Sequence, residues 1–365
     1  MPESAPFAPT PPSPGEGFHR PWWRKLPPRR SLRPLLRETL GRLRGYSLTR
    51  QPPPPASDAL GSAAYGAAQP ILGMRILAAD AEMLREAFIP AGWLALFCAV
   101  IAALGAGPGD PGLLTKRGGS LLAFAAAFYK IFAALAVAPP ILFANHYARL
   151  AAQVRYQLGF GACAPREASL WFFAKRSAQS VILVAFAVAP FYLLERAPIV
   201  GHATAALLGL WGLHWVVVDA LDDARVLLPG ETLKSAEAAA AQNAPQPWFV
   251  RGFLRAAREL SAVPIAGRPL AFLVRAFARI CDRLAVPFRE EIALLEQHRA
   301  LGLGFAVATS ALLAIPGLNL LFRPIIIVAA SHLLGHLEAT EAAHGHPGAP
   351  VLGPSAEGAR PTSLG

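Results

Sequence analysis

Long uncharged apolar runs alternate with basic segments along this chain. From Phe88 to Gly107, "FIPAGWLALFCAVIAALGAG", twenty residues pass without a charge. That is enough helix to cross a hydrocarbon core of about 30 Å. A longer run, 119–145, is broken only by Lys130 and by Pro139-Pro140. Runs 177–194 and 197–218 follow, separated by Glu195-Arg196; runs 300–314 and 318–337 meet at Pro316-Gly317. Six apolar helices in three pairs are predicted, because an open sheet edge has no partner for its backbone in hydrocarbon.

Length separates the first pair from the other two. Eighteen residues lie between Arg176 and Glu195, and sixteen between Arg299 and Pro316. At about 1.5 Å per residue these make about 27 Å and about 24 Å of helix, both short of a full crossing. Prolines 190, 198, 316 and 324 mark the turns. Each of these pairs either thins the bilayer or enters and returns as a partly penetrating hairpin.

The fold expected is an all-α integral membrane protein: two long transmembrane helices, two helical hairpins and an inserted basic module. Residues 1–60 form a Pro/Arg-rich tail, disordered over 1–30, with Ser31–Leu48 either a short basic amphipathic helix or solvated chain. Residues 61–228 form the first part of the membrane core, with helices at about 64–87, 88–107, 118–158, 168–194 and 198–222. Residues 229–285 are the insert, 286–340 the second part of the core, and 341–365 a disordered Gly/Pro-rich tail. In the insert, Arg251, Arg255 and Arg258 share one helical face, as do Arg275, Arg279 and Arg283. Two readings fit: helices lying at the lipid interface, or a hairpin that packs its apolar faces together.

Composition agrees with lipid. The 365 residues are 54% hydrophobic and 16% charged, against about 25% charged in soluble domains. The net charge of +11 admits nucleic acid, but the basic residues concentrate in the segments between the pairs and in the N-terminal region. The positive-inside rule explains that placement, so no nucleic acid partner is expected. It puts both termini and the long loops in the cytoplasm, in a multi-pass protein of a bacterial inner membrane. No apolar core of signal-peptide length occurs in residues 1–60. Cys98, Cys163 and Cys281 are far apart and form no CxxC, so neither a disulfide framework nor a zinc site is indicated.

The segment "FREEIALLEQHRALGLGFAVATSALLAIPGLNLLFRPIIIVAASHLL" resembles the C-terminal hallmark of CysZ-type sulfate permeases and the related etoposide-induced membrane proteins. That hallmark is a helix, an IP-x-LN-L turn, a following proline and a second apolar helix. It falls here on Ile315, Pro316, Leu318, Asn319, Leu320 and Pro324. Ala329-Ala330 stands where the family has Gly-Ala, and Arg323 where it has an apolar residue. Upstream, Asp219 with Asp222 or Asp223, then Pro140, Phe143 and Asn145, then Arg85, Ile89 and Pro90, are similar to further family features in the right order. The resemblance covers about 64–228 and 286–338 and leaves the insert and tails outside. It implies self-association, part-way hairpins and sulfate passage. It also places sulfate near Met83-Leu84-Arg85, with Met where relatives have Gly.

The candidate chemistry is anion binding. Arg323 and Asn319 flank a proline-marked helix start, where outward N–H groups and a cation can hold an anion. Alternatively, Asn319 caps that helix and Arg323 reaches to water. Arg85 and Lys130 are the other cationic candidates, Lys130 otherwise a partner for Asp219. His332 and His336 are spaced i, i+4 but lack the glutamate of HExxH, so no metal is assigned. With no nucleophile triad, phosphate loop or cofactor fingerprint, neither an enzyme nor a cofactor is expected. Two functions remain: a gradient-driven anion permease, or a non-transporting scaffold that engages lipid through its basic insert and tails.

Overall fold

Small polar residues decide where the first helices start. The computed structural model describes residues 32–55, 57–105, 125–126, 128, 130, 139–161, 163–195, 201–264, 267–314 and 319–343. Expectations for residues 1–30, for the turn at Pro316 and for the tail beyond 343 lie outside them. The chain divides into two units, Met1–Glu38 and Thr39–Gly365. In the first, residues 32–38 open helix α1 (Leu32–Leu48). The account below concerns the second.

Helix α2 (Ala59–Ala78) begins at Asp58, whose carboxylate accepts the Gly61 N–H at 2.8 Å. Arg42 of α1 pairs with the same carboxylate at 2.6 Å. These contacts, the Gly61 N–H first, hold the Asp58 carboxyl below its ordinary range. Asp80 does the same for α3 (Ala81–Gly105), accepting from Glu82 N and Met83 N at 2.9 and 3.0 Å. The break therefore falls at Ala79-Asp80, not at 87/88 as the apolar run suggested. Pro90 lies buried inside α3.

The second long helix, expected over 118–158, is described mainly from 139 onward. There it is a short α4 (Pro139–Leu142), with Pro140 in its only turn, and α5 (Ala144–Gln157). Next come α6 (Leu170–Glu195) and α7 (Gly201–Asp223). A two-residue antiparallel pairing, β1 (Ala164–Pro165) with β2 (Val226–Leu227), ties the segment before α6 to the one after α7. The helices that follow are α8 (Leu233–Asn243), α9 (Trp248–Ser261), α10 (Gly267–Ala285), α11 (Arg289–Gln297), α12 (Arg299–Leu313) and α13 (Asn319–Ala343).

Among the described residues, three helices are long and apolar enough to cross a membrane: Ala81–Ala103, Thr204–Asp223 and Leu321–Thr340. The protein is thus an all-α, multi-span membrane protein. Of these three, the one in α13 is 72% buried inside the protein, against 33% for the other two. Helix α13 is the central post. Tyr65, Trp215, Leu221, Phe305, Ile326 and Leu333 belong to the core built around it.

Glycine lets the backbones meet there. A Cβ on Gly66 of α2 would lie 2.1 Å from Leu301 O of α12, and one on Gly304 would lie 1.9 Å from Ala63 O. Gly73 likewise approaches Ile325 O of α13, at 2.6 Å. Small residues at these crossings bring the backbones into close van der Waals contact, which supplies part of the attraction between the helices.

The segment 229–285 is docked on this core. Phe249 and Val250 of α9 and Ala271, Ala278, Cys281 and Ala285 of α10 are buried. A Cβ on Gly267 would lie 2.1 Å from Leu260 O, so the two helices touch where they meet. Phe277 of α10 stacks on Phe186 of α6 at 5.0 Å and meets Phe253 edge-on at 4.9 Å. The hairpin packs its apolar faces together and against α6, while all six arginines of the two faces are exposed.

Two outcomes test this packing. Gly304→Ala forces α2 and α12 apart and should destabilise the protein by about 1–3 kcal/mol, read as a lower melting temperature in detergent. Gly92→Ala, with nothing within 4 Å of the added Cβ, should leave it unchanged or slightly raised. Burial also pushes the Cys281 thiol up to about 11. The native protein should therefore resist maleimide at Cys281 near neutral pH and react on unfolding; fast native labelling there would mean that α10 is not docked.

Candidate functional site: the ion-pair cluster at the end of α7

The last turns of α7 carry Asp219, Asp222 and Asp223, whose spacing of three and four puts them on one side of the helix. Asp222 is buried. It accepts from Arg166 Nη1 and Arg176 Nε, each at 2.7 Å, and from Arg176 Nη2. Arg176 also donates to Glu237 of α8 at 3.2 Å and to Pro287 O at 2.6 Å. Its guanidinium lies 4.9 Å from the centre of the Phe288 ring. One aspartate thereby joins the segment before α6, α6 itself, α7, the insert and the turn leading to α11.

A second group stands beside it. Arg323, in the first turns of α13, donates to Asp219 at 3.1 Å and to Asp223. Arg225 pairs with Glu290 and Glu291 of α11. Glu291 is buried, with the Arg225 guanidinium directly against its carboxylate. Burial raises the Glu291 carboxyl above its ordinary range, outweighing the pull of Arg225. Burial alone would discharge Arg225, but Glu291 and Glu290 overcome that and hold it protonated.

Here four guanidiniums face six carboxylates. Among the described residues of the cluster a free anion meets no uncompensated cation, and the cluster's chemistry is that of a structural tie. Breaking such a tie on one side leaves an unpaired buried charge, which is more costly than replacing the whole group by apolar side chains.

Among the residues singled out from the sequence, Asp219, Asp222 and Arg323 come together in this cluster. Asn145 acts elsewhere. Its Nδ2 donates to Ala168 O at 3.0 Å and its Oδ1 accepts the Ala168 N–H at 2.9 Å, which fastens α5 to the start of α6. Asn319 is the first residue of α13, and Pro324 lies buried one turn on. Arg85 is exposed in α3, and Lys130 is exposed in helical backbone; neither joins the cluster. His332 is buried against Gln69 of α2, its Nδ1 2.9 Å from Gln69 Oε1. No group of three metal-binding side chains occurs among the described residues.

Sequence reasoning missed Arg166, Arg176, Arg225, Glu237, Glu290 and Glu291 as partners. Arg166 and Arg176 look like ordinary loop charges, and only "REE" at 289–291, next to the apolar α12, hinted at a buried acid. No family model, curated protein or solved structure matches the chain.

Asp222→Ala strands two buried arginines and should cost about 3–5 kcal/mol, measured as the loss of the folded fraction on heating. Replacing the three residues together (Asp222→Leu, Arg166→Met, Arg176→Met) should recover most of that loss. If the single and triple variants melt alike, the charges are not coupled as described.

Proposed function

We propose that this multi-span membrane protein is a scaffold that engages anionic lipid through the exposed arginine face of α9 and α10. The observation that carries this reading is the orientation of that hairpin. Its apolar face is committed to α6 and to the core, so Arg251, Arg255, Arg258, Arg275, Arg279 and Arg283 are presented outward. Leu270, Phe272, Leu273 and Ile280 are exposed on α10 beside them. Arginine toward phosphates and Leu/Phe toward acyl chains is the chemistry of an interfacial helix. Near an anionic leaflet each cation contributes about 1 kcal/mol. Both termini lie in the cytoplasm of a bacterial cell in this reading, and the chain self-associates.

Anion passage of the CysZ kind is the second reading. It is favoured by Arg85, which is exposed in α3 at the position that the resemblance assigns to sulfate. It gains nothing from Arg323, whose charge is answered by two carboxylates.

One preparation discriminates the two. Full-length protein in neutral liposomes should cluster added phosphatidylglycerol vesicles at low salt and release them at high salt. Arginine-to-glutamine changes at the six positions should abolish clustering. Sulfate uptake above that of empty liposomes, lost in Arg85→Ala, would instead establish the permease; clustering indifferent to lipid charge would remove the scaffold reading.

A further inference from the structure

Helices α6, α7 and α9 line an open apolar cavity of about 630 Å³. Val188, Leu207, Trp211, Trp248, Gly252 and Phe253 are among its walls. A second cavity, of about 340 Å³, opens from the same residues Leu210, His214 and Trp248 toward Glu296 and Arg299. The two adjoin at these residues and side by side offer a path, apolar at one end and charged at the other. Pockets of about 300–1,000 Å³ with an apolar body and few polar groups are the usual form of a small-ligand site.

Two polar groups along the path lack partners. Among the described residues, His214 Nε2 and Trp211 Nε1 are buried without a hydrogen bond, although both side chains line the large cavity. Such groups are costly to leave unanswered. At the charged end the Glu296 carboxylate is already taken: it pairs with Arg251 and accepts the Trp248 N–H at 2.7 Å. Arg299 spends only its Nε, on Glu296 O at 3.2 Å, and no carboxylate pairs with it among the described residues. The mouth is therefore cationic.

We infer that this path is a binding site for one anionic phospholipid. One acyl chain occupies the cavity between Leu207, Trp211 and Phe253, polar headgroup or ester atoms meet His214 and Trp211, and the phosphate sits on Arg299. Charge and shape both select the occupant. A wholly apolar ligand would leave His214, Trp211 and Arg299 unanswered, and a small free anion would leave the large cavity empty. The site goes beyond the surface reading above, since it holds a single molecule by a chain and, of the outward arginines, involves only Arg251 through its pair with Glu296.

The test uses the full chain purified in detergent, incubated separately with dioleoyl phosphatidylglycerol, dioleoyl phosphatidylcholine, oleate and inorganic phosphate. Lipid retained is read by native mass spectrometry. One phosphatidylglycerol per chain should be retained in preference to phosphatidylcholine. A Cβ at Gly252 meets nothing within 4 Å, so Gly252→Leu can extend into the cavity without strain; it should cut retention about tenfold, with the melting temperature of the lipid-free protein unchanged. Should Gly252→Leu fail to fold, Leu207→Phe narrows the same cavity from α7 and should weaken retention likewise. Arg299→Gln should abolish the preference for phosphatidylglycerol while leaving chain binding measurable. Undiminished retention in the cavity variants, equal retention of the two phospholipids by the wild type, or equally tight binding of oleate or phosphate would each overturn the proposal. A variant with Arg255, Arg258, Arg275, Arg279 and Arg283 changed to glutamine, and Arg251 kept on Glu296, should keep its bound lipid even where vesicle clustering is lost, so the two readings fail separately.

Discussion

Asp222 cannot be ionised in the interior without cations around it, and that requirement organises the charged end of this molecule. A buried carboxylate costs several kcal/mol unless it is paired and hydrogen-bonded. Arg166 and Arg176 meet it from two different segments, and Arg176 continues to Glu237 and the Pro287 carbonyl. The geometry of α6 against α7 and the route of the chain into and out of the insert are all set by one side chain. Charge pairs hold the periphery in the same way that glycine contacts hold α2, α12 and α13 in the centre.

That tie gives the insert its character. The 57 residues 229–285, which lie between apolar helices, could have been a mobile appendage. Instead α8 is linked to Arg176, α10 is stacked on α6 through Phe277 and Phe186, and Phe249 enters the main core. Docking the apolar face leaves the arginines no direction but outward. The same docking shapes the aromatic-lined cavity: Trp248 of α9 meets Trp211 of α7 edge-on at 6.1 Å, and Phe253 and Leu207 line the space beside that contact.

The helical character, the apolar runs and the arginine faces were legible in the sequence because periodicity and length report them directly. So was the aspartate cluster on α7, where spacing alone puts three carboxylates together. Partners were not legible. Arg155 and Glu338 lie 183 residues apart and pair in the fold, and nothing local to either residue names the other. Helix starts went astray for a local reason: Asp80 follows Leu-Ala-Ala and precedes another alanine, so its capping role was hidden inside an alanine-rich stretch that reads as continuous helix. The close-approach glycines were equally silent, since Gly66 and Gly92 look alike in sequence while only Gly66 has a backbone oxygen where its Cβ would be.

Arg323 brings these strands together. Its place after "IPGLNLLF" left two readings, an interfacial anchor or a cation deep on an anion path. Its partners decide how the charge is used. Asp219 and Asp223 close α7, so the start of α13 and the end of α7 share one level. Three charges concentrated at that level are tolerable together because the two carboxylates answer the one guanidinium. An arginine so placed aligns the central helix α13 with its neighbour. The proline that follows it, Pro324, then starts the buried run Ile325–Leu334 against α2 and α5. The residues that interrupt the apolar segment are therefore where one helix is locked to another, and the unbroken part is what the rest of the protein packs around.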